Sequence, residues 1–128
     1  MAMSIASALA DLLSPASSLE TSLDRHFSPD HRQRTDGAWS NRGEFAEHVA
    51  HLRSVVASVN TTVLEELVDG ATYAERHIVD VTKKDGSKVV QEVYVFGELA
   101  PDGRFLRIEE VTLMLAGAEE DRGLGSAR

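Results

Sequence analysis

The chain has 128 residues, 42% of them hydrophobic, and 13 basic against 21 acidic side chains for a formal net charge of −8. That length fits one domain able to bury about two thirds of the surface its unfolded chain exposes. The charge repels phosphate backbones and anionic lipid, so neither nucleic acid nor a membrane surface is an expected partner. Cysteine is absent, which removes disulfides, thiol chemistry and cysteine metal sites together and fits a cytoplasmic location.

The opening stretch MAMSIASALADLL is apolar but has no Lys or Arg ahead of it, so no secretory signal is expected. No run approaches the ~18 apolar residues that a membrane span needs. Ile5, Leu9, Leu12 and Leu13 recur at helical spacing, which predicts a short amphipathic helix over 4–13, ended by Ser14-Pro15. Ser17 with Glu20 three residues later is a capping-box pattern that opens a second helix, with Leu19, Leu23 and Phe27 as its buried stripe and Ser28-Pro29-Asp30 as its stop.

His31 to Thr35 reads as a short strand, followed by Asp36-Gly37. Trp39 then lies in a loop, where its default role is half-buried packing and its functional one is to cap the mouth of a pocket. Asn41 and Glu44 are placed to cap a third helix that shows an apolar face of Phe45, Val49, Leu52 and Val56 and runs through Ser58. His48 and His51 sit three apart on it. A zinc site needs three or four converging ligands, so a solvated helix face is the default reading and no metal is assigned.

From Thr61 the pattern changes to four strands, about 61–68, 72–82, 88–97 and 104–115. Asp69-Gly70, Asp85-Gly86 and Asp102-Gly103 mark the three turns. Three helices, a short strand and an antiparallel meander make an α+β fold with helices on one face of a curved sheet. Residues 1–115 are taken as the domain. Residues 116–128, rich in Gly, Glu and Arg, are taken as a flexible tail with little to bury.

The phrases HFSPDHRQRTDG, ELVDGATYAERHIVDV, VQEVYVFGEL and DGRFLRIEEV resemble the nuclear transport factor 2-like superfamily, and within it the SnoaL-like group, over about Leu9 to Leu115. The resemblance implies a cone, a bent sheet wrapped over three N-terminal helices with a pocket at the wide end. Members include ketosteroid isomerases, limonene-type epoxide hydrolases, polyketide cyclases and non-catalytic binding modules.

Carried over residue by residue, the isomerase base falls on Thr35, which cannot take a proton at neutral pH. Leu9, Asp11 and Leu12 stand in the region of the isomerase tyrosine, while Glu92 matches the oxyanion-hole acid. The epoxide hydrolase Arg/Asp pair falls on Arg76 and Ile78, with Glu110 near the second acidic position. The cyclase Asp falls near Leu113. No catalytic set is complete.

Side chains alternate along strands. A three-residue Lys84-Asp85-Gly86 turn, with Gly86 as the bulge residue, pairs even residues with even, Ile78 with Glu92 and Arg76 with Tyr94. A two-residue turn pairs even with odd. The resemblance puts Arg76 and Glu92 inside and favours the former. The expected inner face then carries Arg76, Glu92, Tyr94, Phe96 and Ile78, with Glu110 nearby and Arg76 within salt-bridge reach of Glu92 or Glu110. The same alternation sends His77, Val79, Val81, Val93 and Val95 outward, and a valine patch there predicts a homodimer through the outer sheet face.

Two functions follow. One is a proton-transfer enzyme of the isomerase, cyclase or hydratase kind acting on a small apolar molecule, with Glu92 or Glu110 as acid/base, Arg76 orienting it, and Tyr94, Phe96, Ile78, Thr35 and Trp39 lining the pocket. The other is a non-catalytic dimeric ligand-binding or protein-interaction domain. No cofactor is called for.

Overall fold

The structure is a computed structural model describing residues 4–127. Met1–Met3 and Arg128, the ends of the apolar N-terminal stretch and of the expected tail, lie outside the described residues. The elements in order are α1 (Ile5–Leu12), α2 (Leu19–His26), β1 (Phe27–Thr35), β2 (Ala38–Asn41), α3 (Arg42–Val55), β3 (Val56–Asp69), β4 (Thr72–Lys83), β5 (Lys88–Leu99) and β6 (Phe105–Ala116). The six strands form one open sheet in the order β2-β1-β6-β5-β4-β3. Every neighbour pair is antiparallel except β1 and β6, which run parallel. This is the expected α+β cone, with a mixed rather than wholly antiparallel sheet.

Local chemistry explains the boundaries. Ser18, not Ser17, caps α2 by accepting from the N–H of Thr21. The chain then enters β1 at Phe27, four residues before the expected start. Pro29 is tolerated there because the β1–β6 register shifts between Phe27 and Arg32, where a missing N–H breaks no ladder bond. Asp36 and Gly37 both take positive φ, 50° and 90°, the signature of a two-residue hairpin turn. The turn pairs Arg34 with Trp39 and Thr35 with Ala38, so Trp39 lies on an edge strand rather than in a loop. Asn41 and Glu44 form the expected capping box of α3. That helix ends at Val55, and β3 begins five residues earlier than the sequence suggested.

The core joins the helices to the odd-numbered face of β4 and β5. Ile5, Leu12, Leu23, Phe45 and Val49 pack against Tyr73, Val93, Val95, Phe105 and Ile108, each fully buried side chain contributing about 1.5–3 kcal/mol. Phe27 sits at the centre, 5.0 Å from the Phe45 ring and 5.6 Å from Phe105. Two polar ties fix the helices. The Tyr73 hydroxyl accepts from the Ile5 N–H at 3.1 Å and donates to Glu66 at 2.6 Å. Arg53 of α3 donates to the carbonyls of Leu12 and Ser17 at 2.6 and 3.0 Å.

The expected pairing register holds: Ile78 faces Glu92, Arg76 faces Tyr94, and Gly86 closes the turn at φ 89°. The face is the reverse of the one expected. Arg76, Ile78, Glu92, Tyr94 and Phe96 point outward, with Tyr94 51% and Phe96 54% exposed, whereas Val81, Val93, Val95 and His77 are buried beneath the helices. Burying these three β-branched apolar side chains stabilises the wall, while burying Arg76, Asp80, Lys88 and Glu92 would cost several kcal/mol for any charge left unpaired. On this point the alternation of hydrophobic character outweighs the resemblance. The valine patch that argued for a dimer is therefore the core.

After β6 the chain does not trail away. Ala118–Ala127 makes two 3-10 turns, Glu119–Asp121 and Leu124–Ser126. Asp121 and Leu124 are buried, and Lys83 bonds Asp121 at 3.0 Å.

Candidate functional site

Between the helices and the inner wall lies a cavity of about 110 Å³, the same order as the ~150 Å³ void that accepts benzene in an engineered protein. Leu9 and Leu12 of α1, Phe45 and Val49 of α3, and Val79 and Val93 of the sheet make its apolar walls. Leu124 and Gly125 of the C-terminal segment border it, and His48 of α3 donates to the carbonyl of Ala127 at 2.6 Å. Among the described residues no helix is long and apolar enough to cross a membrane, and no cluster of three His, Cys, Asp or Glu side chains is arranged to hold a metal ion.

One end of the cavity is polar, and its lining residues Gln33, His77, Gln91 and Glu110, with the side chains bonded to them, come from four strands. Glu110 of β6 pairs in register with both Thr35 of β1 and Val95 of β5, which turns it inward. Its Oε1 accepts from Thr35 Oγ1 and from Gln33 Nε2, both at 3.1 Å. Burial pushes this carboxyl up from 4.5 to about 7, against the opposing influence of Thr35, His77 and Gln33. His31 completes the β1 side, 2.9 Å from Gln33 and 3.2 Å from the Phe105 carbonyl. Burial lowers this ring to about 4, so it is neutral near pH 7. On β4, His77 Nδ1 lies 2.6 Å from Glu75 Oε1 with both side chains almost wholly buried. Gln91 of β5 also lines the cavity.

Of the residues singled out in the sequence, the structure brings Glu110 to the cavity, where Thr35 donates to it. Trp39 borders a neighbouring recess of about 120 Å³ with Thr35 and His48, and Arg32 lies over its ring at 5.2 Å. Arg76 is within reach of Glu92 at 3.5 Å as expected, but its tighter partner is Glu65 at 2.5 Å, and the group lies outside the cone. Arg76 and Glu65, with Tyr94 and Phe96, line an open groove of about 800 Å³. Sequence reasoning missed Gln33, Glu75, His77 and Gln91. The signal was present for three of them: Glu75, His77 and Gln91 share the odd-numbered face of β4 and β5 with Val79, Val81, Val93 and Val95.

No family model matches the sequence. It is 31% identical over 107 residues to an uncharacterized protein of Schizosaccharomyces pombe, covering 84% of this chain and 82% of the relative. An NTF2-like protein of unknown function from Exiguobacterium sp. 255-15 superposes with a TM-score of 0.66 at 18% identity, covering 84% of this chain and 96% of the other. The chain belongs to one family with that yeast protein and has the nuclear transport factor 2-like fold. IdmH of Streptomyces antibioticus, described as a putative polyketide cyclase, has a similar fold, with a TM-score of 0.64 at 13% identity over 83% of this chain and 89% of its own. This chain departs from the isomerase and hydrolase patterns at Thr35 and Ile78. Its one isomerase-like match, Glu92, faces away from the cavity.

Proposed function

We propose that this chain is a small-molecule pocket protein that moves a proton on a small, largely apolar substrate, in the manner of an isomerase, cyclase or hydratase. The observation that carries the reading is Glu110, an inward carboxyl held by Thr35 and Gln33 in an apolar cavity and titrating near neutrality. A group with its pKa close to the working pH both takes and returns a proton efficiently. His77, oriented by Glu75, is the second proton-handling group. The likeness to a putative polyketide cyclase supports this class of chemistry and names no substrate. The segment 118–127 is the part that lifts to admit the ligand, and a cytoplasmic location goes with the reading.

The test has two stages. Amide NMR spectra are recorded against a panel of small apolar compounds, and the expected result is shifts confined to Val93, Ile108, Leu124 and their neighbours. For a compound that binds, solvent hydrogen exchange into its carbon skeleton is then compared between wild type and Glu110→Gln. Binding with exchange lost in the variant supports the enzyme. Binding with no exchange in either protein supports the second reading, a non-catalytic pocket, which the incomplete family catalytic sets favour. No shift in the cavity at millimolar ligand refutes both.

The outer face supports a homodimer on different residues from those first expected. Tyr94, Phe96, Val111, Leu113 and Leu115 are each more than half exposed. The surrounding charges are of both signs, with Arg76 beside Glu65 and Glu92 and Arg34 beside Glu109. Such a face complements a second copy of itself turned by a two-fold axis. Arg76, Ile78, Glu92, Tyr94 and Phe96 belong to this contact. Light scattering that finds only monomer at high micromolar concentration, with no difference on Phe96→Asp, refutes it.

A further inference from the structure

Two spaces meet beneath the C-terminal segment. The cavity of about 110 Å³ and the recess of about 120 Å³ share Gln33, Phe45, His48 and Gly125 as lining residues. Three of these belong to β1 and α3, which the core and the capping box hold in place. Gly125 belongs instead to the turn Leu124–Ser126. Leu124 borders the cavity, Ser126 borders the recess, and Gly125 borders both, so this turn crosses the junction. A Cβ built on Gly125 would lie 3.3 Å from Thr112 Cγ2 and 3.7 Å from Thr35 Cγ2. The backbone there is pressed against β6 and β1.

The turn is held from outside itself. The segment around it has two three-residue 3-10 turns with no side-chain cap, too short to persist alone. Three polar ties seat it: Lys83 Nζ to Asp121 Oδ1 at 3.0 Å, His48 Nδ1 to the Ala127 carbonyl at 2.6 Å, and Gln91 Nε2 to the Arg122 carbonyl at 3.5 Å. Leu124 adds packing against Val81 and Val89. Ahead of it Gly117 takes φ 140°, a conformation that glycine adopts readily and other residues rarely do. A segment with so few buried contacts opens locally more readily than the strands beneath it.

The two spaces differ in chemistry. The cavity is walled by aliphatic side chains. The recess is lined by the hydroxyl-bearing Thr35, Ser40 and Ser126 and by Trp39, itself 47% exposed. Glu44 is its acidic member, and among the described residues no Lys or Arg lines it.

We propose that the cavity and the recess are the two ends of one binding site for an elongated, uncharged amphipathic molecule, its apolar body among Leu9, Val49 and Val93 and its hydroxyl or amide head beside Ser40 and Trp39. The Leu124–Ser126 turn gives way at the junction to let it span both. A carboxylate head would meet Glu44 with no cation to offset it, so the matching acid is disfavoured. This inference rests on the pocket reading above and extends it to a ligand longer than the cavity alone accepts.

The test uses the whole chain with benzene, n-octanol and octanoate as probes, followed by amide NMR at neutral pH. Benzene is expected to shift Val93, Leu124 and their neighbours, whereas octanol shifts these and also Ala38, Ser40 and Ser126. Octanoate is expected to bind about tenfold more weakly than octanol, or worse, for want of a partner to its charge. Octanol shifts confined to the cavity end, no octanol binding beside that of benzene, or octanoate binding as tightly as octanol overturns the inference and leaves the cavity reading standing. If neither benzene nor octanol enters, both fall. A lock tests the turn itself. The chain has no cysteine, so Thr112→Cys with Gly125→Cys can form a single disulfide, and the 3.3 Å separation suits one. Octanol affinity is expected to fall about tenfold or more on oxidation, because the competent state is withdrawn, and to return on reduction of the same protein. Equal affinity in the two states means that the turn need not yield and overturns the inference. A pair that will not oxidise places the turn away from β6 and overturns it as well.

Discussion

Replacing Glu110 with Gln isolates the energetic cost of its carboxyl. The amide has nearly the shape of the protonated acid and its oxygen can still accept from Gln33, so at pH 5 the two proteins should be about equally stable. The wild-type carboxyl titrates near 7 in the folded chain against 4.5 for a carboxyl free in water, so folding favours its protonated form. Stability from that preference is fully present below pH 4.5 and is lost as pH rises through about 7. The interval between the two values corresponds to about 3 kcal/mol at ~1.4 kcal/mol per tenfold. The partial exposure of Glu110 lowers the expected loss to about 1–3 kcal/mol. Urea unfolding followed by circular dichroism at pH 5 and pH 8 measures it: Glu110→Gln should gain that amount on wild type between the two pH values. A gap that does not change with pH means the carboxyl ionises freely, and the acid/base assignment fails with it.

His31 has the opposite sign. Its pKa is about 4 in the folded chain against 6.5 free, so its contribution is present above 6.5 and disappears as pH falls through 4, up to about 3 kcal/mol. His31→Phe should flatten the acid limb of the stability curve, and an unchanged limb contradicts a buried neutral ring. Tyr73→Phe strands the Ile5 N–H and frees Glu66; an unfolding free energy lower by about 1–3 kcal/mol is expected, read as a drop in urea midpoint. In Gly97→Ala the new Cβ would lie 2.5 Å from the Arg107 carbonyl oxygen. Backbone must move, at a cost of about 1–3 kcal/mol, and amide shifts should spread along β5 and β6 rather than stay local.

Much of the scaffold was legible because each signal was local. The Asn41/Glu44 capping box, the three Asp-Gly turns and the left-handed Gly86 depend on residues within a few positions of one another, and the strand register followed from them. Which face of β4 and β5 turns inward is not a local property. It depends on which set of side chains the helices cover, and there the even-numbered residues matched a family pattern while the odd-numbered valines matched the core. Glu110 turns inward because β6 pairs its even residues with the odd set of β5, as Glu110 with Val95 shows, a pairing that the sequence pattern of either strand alone does not reveal. Trp39 was read as loop because Ala38–Asn41 is a four-residue edge strand whose partner is supplied by the Asp36-Gly37 turn. The closing segment was read as a tail because only Leu124 and Asp121 are buried in it.

The parallel seam between β1 and β6 has a consequence for synthesis. Gln33 and Thr35 emerge from the ribosome more than seventy residues ahead of Glu110, their partner across that seam. Until the last strand arrives, the β1–β2 hairpin has no neighbour on its inner edge and the β3–β5 meander offers an unpaired border of its own. Contacts so distant in sequence make closure slow, and open borders invite pairing with other chains. A prematurely terminated product lacking β6 is therefore expected to aggregate rather than persist as a smaller, working protein.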